Sequence, residues 1–215
     1  MKLLKGLLSG LCLCTAIGCT APASQKENVA AAEGLSQSEA VIKTIMERRS
    51  IRQYKPQAVN RDTMQTILKC GINAPNGMNK QSWEVRVVDN PDFINGVTEL
   101  YKKANPKAAE DPSFKNMFRN APTVMFIAND PSYDCSQIDC GLLGGNMILA
   151  AQSMGIGSCC LGGPARFMKS PEAAEYLKKL NFSEGYELLY CIAFGYPDEA
   201  PAAKPRKAEK VQFID

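Results

Sequence analysis

Apolar residues recur at helical spacing over residues 38–49, where Val41, Ile42, Ile45 and Met46 make one stripe and Ser38 supplies a capping side chain. The same spacing returns after Asn60, with Met64, Ile67, Leu68, Gly71 and Ile72 on one face, so a second capped helix is predicted. The period then shortens. Val85, Val87 and Val88 mark a strand over residues 83–88, and Pro91 sits where a new helix begins, because its missing N–H is not needed there. A polar stretch, residues 102–116, reads equally as a substrate-facing lid and as plain surface. Pro122 introduces an unbroken apolar run of strand length, residues 123–128. Residues 136–154 form the longest helix, rich in Leu, Ala and Gly and apolar on nearly all sides, which predicts burial. Residues 156–161 and 188–194 are the remaining core strands. Strands interleave with helices through long connections, and no internal repeat is present, so the pattern gives an α+β domain with one sheet covered by helices.

With 215 residues, 45% hydrophobic and 22% charged, the chain fits one globular domain plus a short extra segment. A net charge of +3 is too small to argue for nucleic acid, and no basic patch is interleaved with aromatics. Histidine is absent. That removes the commonest metal ligand and the usual general base, which excludes zinc-hydrolase and Ser-His-Asp chemistry and leaves no metal site assigned. Lys2 and Lys5 precede an apolar run, residues 7–17, that is too short to span a bilayer stably. Residues 1–18 therefore read as a signal peptide. Ala16-Ile17-Gly18-Cys19 resembles a bacterial lipoprotein cleavage site, with Cys19 lipidated and the chain exported to a cell envelope membrane; cleavage after Ala21-Pro22-Ala23 is the alternative. Residues 19–38 are too polar and Ala-rich to bury a core and read as a tether, leaving residues 39–215 as the folded domain. Of nine cysteines, Cys70 and Cys191 fall in apolar periodic segments, Cys135 and Cys140 have no zinc spacing, and Cys159-Cys160 is a vicinal pair. Free thiols in an exported chain suit low-oxygen surroundings.

Two segments concentrate the chemistry. Arg48-Arg49-Ser50-Ile51-Arg52-Gln53-Tyr54 places three guanidinium groups and a hydroxyl within five positions. Such a cluster suits a dianionic phosphate, whose oxygens Arg grips through a rigid bidentate fork. One helix later, Ala74-Pro75-Asn76-Gly77-Met78-Asn79-Lys80-Gln81-Ser82-Trp83 forms a turn with amides at Asn76, Asn79 and Gln81. Amides donate and accept, so they can read the edge of a heterocycle bearing N–H and C=O groups. Alone, either segment reads as a solvated helix end or an ordinary loop. Together they point to a mononucleotide cofactor.

The pair resembles the nitroreductase family of FMN enzymes, which carries R-R-S-x-R-x-Y/F at the end of its first helix and A-P-S-x-x-N-x-Q-P-W before its first core strand. The first motif is intact; the second departs at Asn76, usually Ser, and at Ser82, usually Pro. Gly155-Ile156-Gly157-Ser158-Cys159-Cys160-Leu161-Gly162-Gly163 resembles the family's strand and turn over the flavin. Ala203-Lys204-Pro205-Arg206-Lys207, after Gly195-Tyr196-Pro197, is similar to its C-terminal tail. The resemblance implies a nitroreductase-like fold, a central mixed sheet flanked by helices, and an interlocked homodimer with each FMN bound across the interface. Gly141, Gly144 and Gly145 lie inside the long helix and read as close helix packing, which agrees with that helix's place at the family's dimer interface. Arg48, Arg49, Ser50, Arg52, Lys204 and Arg206 would contact the phosphate and pyrimidine edge. Pro75, Asn76, Gly77, Asn79 and Gln81 would line the ring, and Cys160, Leu161, Gly162 and Gly163 would cover its other face. NAD(P)H or another donor would reduce the flavin, and a nitroaromatic, quinone or similar small acceptor would reoxidise it in a ping-pong cycle. The flavin carries the chemistry, so no side chain is assigned a catalytic role. Rival readings are dehalogenation, flavin destruction or azoline oxidation within the family, a non-catalytic FMN-binding lipoprotein, and a thiol redox protein using Cys159-Cys160.

Overall fold

The computed structural model describes residues 34–214. The leader, Cys19 and the tether as far as residue 33 lie outside the described residues. Four strands make one sheet: β1 (Trp83–Val88), β2 (Thr123–Asn129), β3 (Gly157–Leu161) and β4 (Glu187–Gly195), in the order β1-β2-β4-β3. Each adjacent pair is antiparallel. The expectation of a mixed sheet is thus corrected: among the described residues the one parallel pairing is the isolated bridge between Ser50 and Ser158. The connections explain it. Helix α3 (Pro91–Ala104) carries the chain away from the end of β1, and residues 105–122 bring it back to the same end, so β2 must run the other way. Every residue of β2 is buried, which accounts for its uninterrupted apolar run: both faces of this strand are covered.

Helices α1 (Gln37–Glu47), α2 (Arg61–Ile72) and α5 (Ser136–Ser153) precede β1 or lie between β2 and β3; α4 (Pro106–Glu110) follows α3, and α6 (Gly162–Met168) and α7 (Ala174–Lys179) join β3 to β4. One face of the sheet packs Val124, Phe126, Cys191 and Ala193 with residues of α3 and α6. There Phe118 and Phe93 meet Phe126 edge-on, with ring centroids 5.6 and 6.0 Å away. The other face packs Met125, Ile127, Ile192 and Phe194 under α2 and α5. Asn60 caps α2 as predicted, its side chain accepting from the Asp62 N–H at 2.8 Å.

Three local expectations change. Helix α1 starts at Gln37, capped by Ser36 rather than Ser38, because Ser36 and Glu39 form a reciprocal capping box that reaches back into the predicted tether. The polar stretch 102–116 contains the end of α3, all of α4, and a turn tied by Asn116 and Asn120 that feeds Met117 and Phe118 into the core. Helix α5 is buried on one face only, since Ile138 and Leu142 are 64% and 42% exposed. The apolar stripe of α1 is likewise open: Ile42 is 60% and Met46 68% exposed. Hydrophobic patterning identifies a face that prefers cover, but these two faces find none among the described residues.

Candidate functional site

Residues 48–55 run as a rail along the outside of β3 and past the end of β4. The Ile51 N–H donates to the Ser158 carbonyl at 3.0 Å, the Lys55 N–H to Tyr196 at 2.9 Å, and the Asp198 N–H to Gln53 at 3.0 Å. Close approach requires glycine on the sheet side. A Cβ at Gly157 would sit 3.0 Å from Ile51, and one at Gly195 only 2.7 Å from the Tyr54 ring. Ile51 and Tyr54 are buried as the inner side of the rail, while Arg48, Arg49 and Ser50 are half-buried and Arg52 is exposed. Arg49 caps the end of α1, donating to the Met46 and Arg48 carbonyls at 2.7 and 2.8 Å. The Arg52 guanidinium donates to the Ser50 carbonyl at 3.1 Å, and its backbone N–H donates to the Glu199 carboxylate. A cleft of about 340 Å³ opens beside this rail, lined by Arg49, Ile51, Gln152, Gly157 and Glu199 among others.

Arg48 and Cys160 are brought together at the β3 edge. Burial pushes the Cys160 thiol up, the neighbouring Cys159 adds to this, and the Arg48 charge opposes it. Cys160 is nonetheless exposed at its surface, whereas Leu161 is buried in the core. The resemblance puts Gly162 and Gly163 in a turn. They open helix α6 instead, exposed, where an added Cβ would meet nothing closer than the flexible Arg166 guanidinium at 3.5 and 4.0 Å. Their own chain does not require glycine there. Lys204 and Arg206 lie on an exposed segment, residues 202–214, and Arg206 turns back onto the carbonyls of Lys204 and Pro205 at 3.1 and 3.5 Å.

The amide loop is built differently. Gln81 donates its N–H to the Asn76 side-chain oxygen at 2.9 Å, and Lys80 donates its N–H to the Gly77 carbonyl at 3.0 Å. Met78, Asn79 and Gln81 all adopt left-handed backbone, with φ of 53°, 54° and 50°. For non-glycine residues this costs roughly 1–2 kcal/mol each, so the surroundings must hold it. Asp139 does so from α5. Its carboxylate accepts the Gly77 N–H at 3.0 Å and the Ser82 hydroxyl at 2.9 Å, and it is 2% exposed. Tyr133 closes the loop from outside, with the Lys80 ammonium 4.3 Å above its ring and its hydroxyl occupying the space a Gly77 Cβ would take. Pro75, Asn79 and Gln81 remain exposed.

Sequence reasoning overlooked Asp139, Tyr133 and Glu199. Asp139 had a signal: it is the one charged residue in the otherwise apolar or neutral α5. Tyr133 and Glu199 had none.

Rail and loop occupy opposite corners of the sheet. The rail pairs with Ser158, level with Phe194 and Thr123, while the loop leads into Trp83, level with Asn129 and Glu187. The bridge strand, β3, β4, β2 and β1 set four spacings between them, about 19 Å across the sheet, and the length of β2 adds about 20 Å along it. The structure therefore unites Arg48, Arg49, Ser50 and Arg52 with Cys160, but keeps Asn76, Gly77, Asn79 and Gln81 apart from them.

A profile of the nitroreductase family matches residues 45–196. A crystal structure of a nitroreductase with bound FMN from Desulfitobacterium hafniense DCB-2 is 29% identical, with a TM-score of 0.71, covering 82% of this chain and 98% of its own. A second nitroreductase with bound FMN, from Bacteroides fragilis NCTC 9343, is 27% identical with a TM-score of 0.70, covering 81% and 98%. The NADPH-flavin oxidoreductase of Vibrio harveyi is 27% identical over 173 residues, 77% of this chain and 69% of that protein.

Proposed function

The chain belongs to the nitroreductase family, and we propose that it is an FMN-dependent oxidoreductase that takes electrons from NAD(P)H and delivers them to a small acceptor such as a nitroaromatic or quinone. The observation that carries this reading is the pairing of an arginine rail with a strained amide loop, each suited to half of one FMN. The two solved neighbours named above hold FMN, and the Vibrio harveyi relative is a flavin oxidoreductase, which supports the same cofactor here.

The residues fit the group. Arg48, Ser50 and Arg52 present guanidinium and hydroxyl donors on a rail whose inner side is fixed by Ile51 and Tyr54, as a phosphate ester requires. Lys204 and Arg206 would add charge from the tail. Asn76, Asn79 and Gln81 offer donors and acceptors to a ring edge, and Gly162 and Gly163 leave room for close approach of a flat group. Bound FMN supplies the two-electron chemistry; the protein binds it, orients it and excludes water. The rail and the loop of one chain lie at opposite corners, so a complete site takes the rail from one protomer and the loop from its partner. A homodimer gives two such sites by symmetry. The uncovered α1 stripe, the open α5 face and the exposed Val211, Phe213 and Ile214 of the tail supply apolar surface for that contact.

The full-length protein should purify yellow, or take up FMN on titration, and the bound flavin should bleach on anaerobic stopped-flow mixing with NADH or NADPH. Bound flavin that neither nucleotide reduces would turn the reading into that of a non-catalytic FMN-binding protein; no flavin binding at all would end it.

The domain layout belongs to the same proposal: signal peptide 1–18, tether from Cys19, folded domain to the C-terminus, with export and diacylation at Cys19. Two acyl chains suffice for stable anchoring where one is marginal. Cys19→Ala should leave the membrane fraction or persist as unprocessed precursor. Normal cleavage with unchanged fractionation would favour cleavage near Ala23 instead.

A further inference from the structure

We infer that Asp139, with Ser82, is a positioning residue that sets the amide loop for the cofactor; this rests on the reading of that loop as an FMN contact. Both carboxylate oxygens are committed, one to each end of the loop: Oδ1 to the Gly77 N–H and Oδ2 to the Ser82 hydroxyl. Ser82 is itself buried, at 3% exposed, and its carbonyl accepts the Asp130 N–H at 3.1 Å. The strut thus spans the left-handed residues Met78, Asn79 and Gln81, whose backbone would otherwise relax toward ordinary conformations. Asn79 and Gln81 are exposed, so their outward direction is fixed by the backbone beneath them rather than by side-chain packing. Asp139 lies in the first turn of α5, where the helix N-terminus favours a negative charge. Exposed Ile138, Gly141 and Leu142 of the same helix belong to the surface assigned to the partner protomer. One rigid helix therefore fixes the loop relative to the neighbouring chain whose arginine rail completes the site. Ser82, where the family motif has Pro, supplies through its hydroxyl a constraint that a proline ring would supply covalently.

The test is a double-mutant cycle read as FMN affinity of the apo-protein, by fluorescence titration. Asn79→Ala is expected to weaken FMN about tenfold in the wild-type background but less than about threefold in Asp139→Asn, because a misplaced loop has already lost that contact. Asp139→Asn alone should weaken FMN about tenfold and alter the visible flavin spectrum. Ser82→Ala, which leaves the Asp139–Gly77 bond in place, should give the same non-additivity in weaker form and carries the cycle should Asp139→Asn fail to fold. Equal losses from Asn79→Ala in every background would show that Asp139 acts on stability alone and overturn the inference. An Asn79→Ala and Gln81→Ala pair without effect on an FMN-binding wild type would instead remove the loop from the site, and the inference with it.

Discussion

The Tyr190 hydroxyl donates to the Cys140 carbonyl at 2.7 Å, tying β4 to α5 through a gap that exists because residue 144 is glycine. A Cβ at Gly144 would lie 2.0 Å from that hydroxyl and 3.1 Å from the ring carbon bearing it. Gly144→Ala gains about 1 kcal/mol of helix propensity but displaces a part-buried hydroxyl from its acceptor, at about 1–3 kcal/mol, and adds steric strain. The expected net loss is about 1–2 kcal/mol, a fall in Tm of roughly 3–6 °C by thermal denaturation. Tyr190→Phe should absorb part of it, so the double variant should lose less than the sum of the singles.

Gly145→Ala should behave in the opposite sense. Among the described residues nothing lies within 4 Å of a Cβ there, so the helix gains propensity at no cost to its described neighbours. Sedimentation at a series of concentrations should show the proposed dimer weakened while the isolated chain becomes no less stable. A variant that dimerises like wild type would place the partner on another face.

Arg48→Ala should weaken FMN retention by roughly 10- to 150-fold, the loss of one charge-assisted bond worth about 1.5–3 kcal/mol. Asn79→Ala should lower it too, acting from the other chain of the proposed dimer. Mixing the two variants should then restore function, because half of the random dimers carry one intact site, giving about a quarter of the wild-type site number. No recovery on mixing would mean that rail and loop serve different sites.

Acid should weaken the fold partly through Glu84. Desolvation alone would raise its pKa, but hydrogen bonds from Ser183 and the Arg86 charge outweigh it and hold the carboxyl below its ordinary value of 4.5. Arg86 lies 2.6 Å from Glu84 and also donates to the carbonyls of Leu180 and Asn181, so the group clasps the end of α7 to β1. A lowered folded pKa stabilises the native state fully above pH 4.5 and loses that contribution as pH falls through the lower folded value. Glu84→Gln should cost about 1 kcal/mol at pH 7 and flatten the acid side of the stability profile. Urea midpoints measured between pH 3 and 7 check the sign.

The thiols should be dispensable for turnover. Burial pushes Cys140 up to about 12 and raises Cys160 and Cys191, so these groups stay protonated and are poor nucleophiles at neutral pH. Cys159→Ser/Cys160→Ala should keep FMN and the proposed nitroaromatic reduction within about tenfold of wild type, near 1.4 kcal/mol in barrier. Loss of turnover with flavin retained, or stoichiometric thiol oxidation, would move the redox centre to the vicinal pair.

The chain's local chemistry was legible in order along it. Trp83–Val88 and the Asn60 cap follow from short-range alternation and side-chain chemistry, which act over a few residues and leave a periodic trace. The two motifs proposed as a phosphate clamp and a ring reader are equally local, since the chemistry proposed for them rests on their composition alone. Tertiary structure alone decided where these segments stand. It laid the arginine rail outside β3 and the amide loop at the start of β1, and it turned a sheet expected to be mixed into an antiparallel one. Pairing partners such as Ser50 and Ser158, or Asp139 and Gly77, lie far apart in sequence and are selected by packing of the whole core. Periodicity likewise marked α1 and α5 as apolar without saying what covers them, because a hydrophobic face is defined by water it avoids and not by the surface it meets.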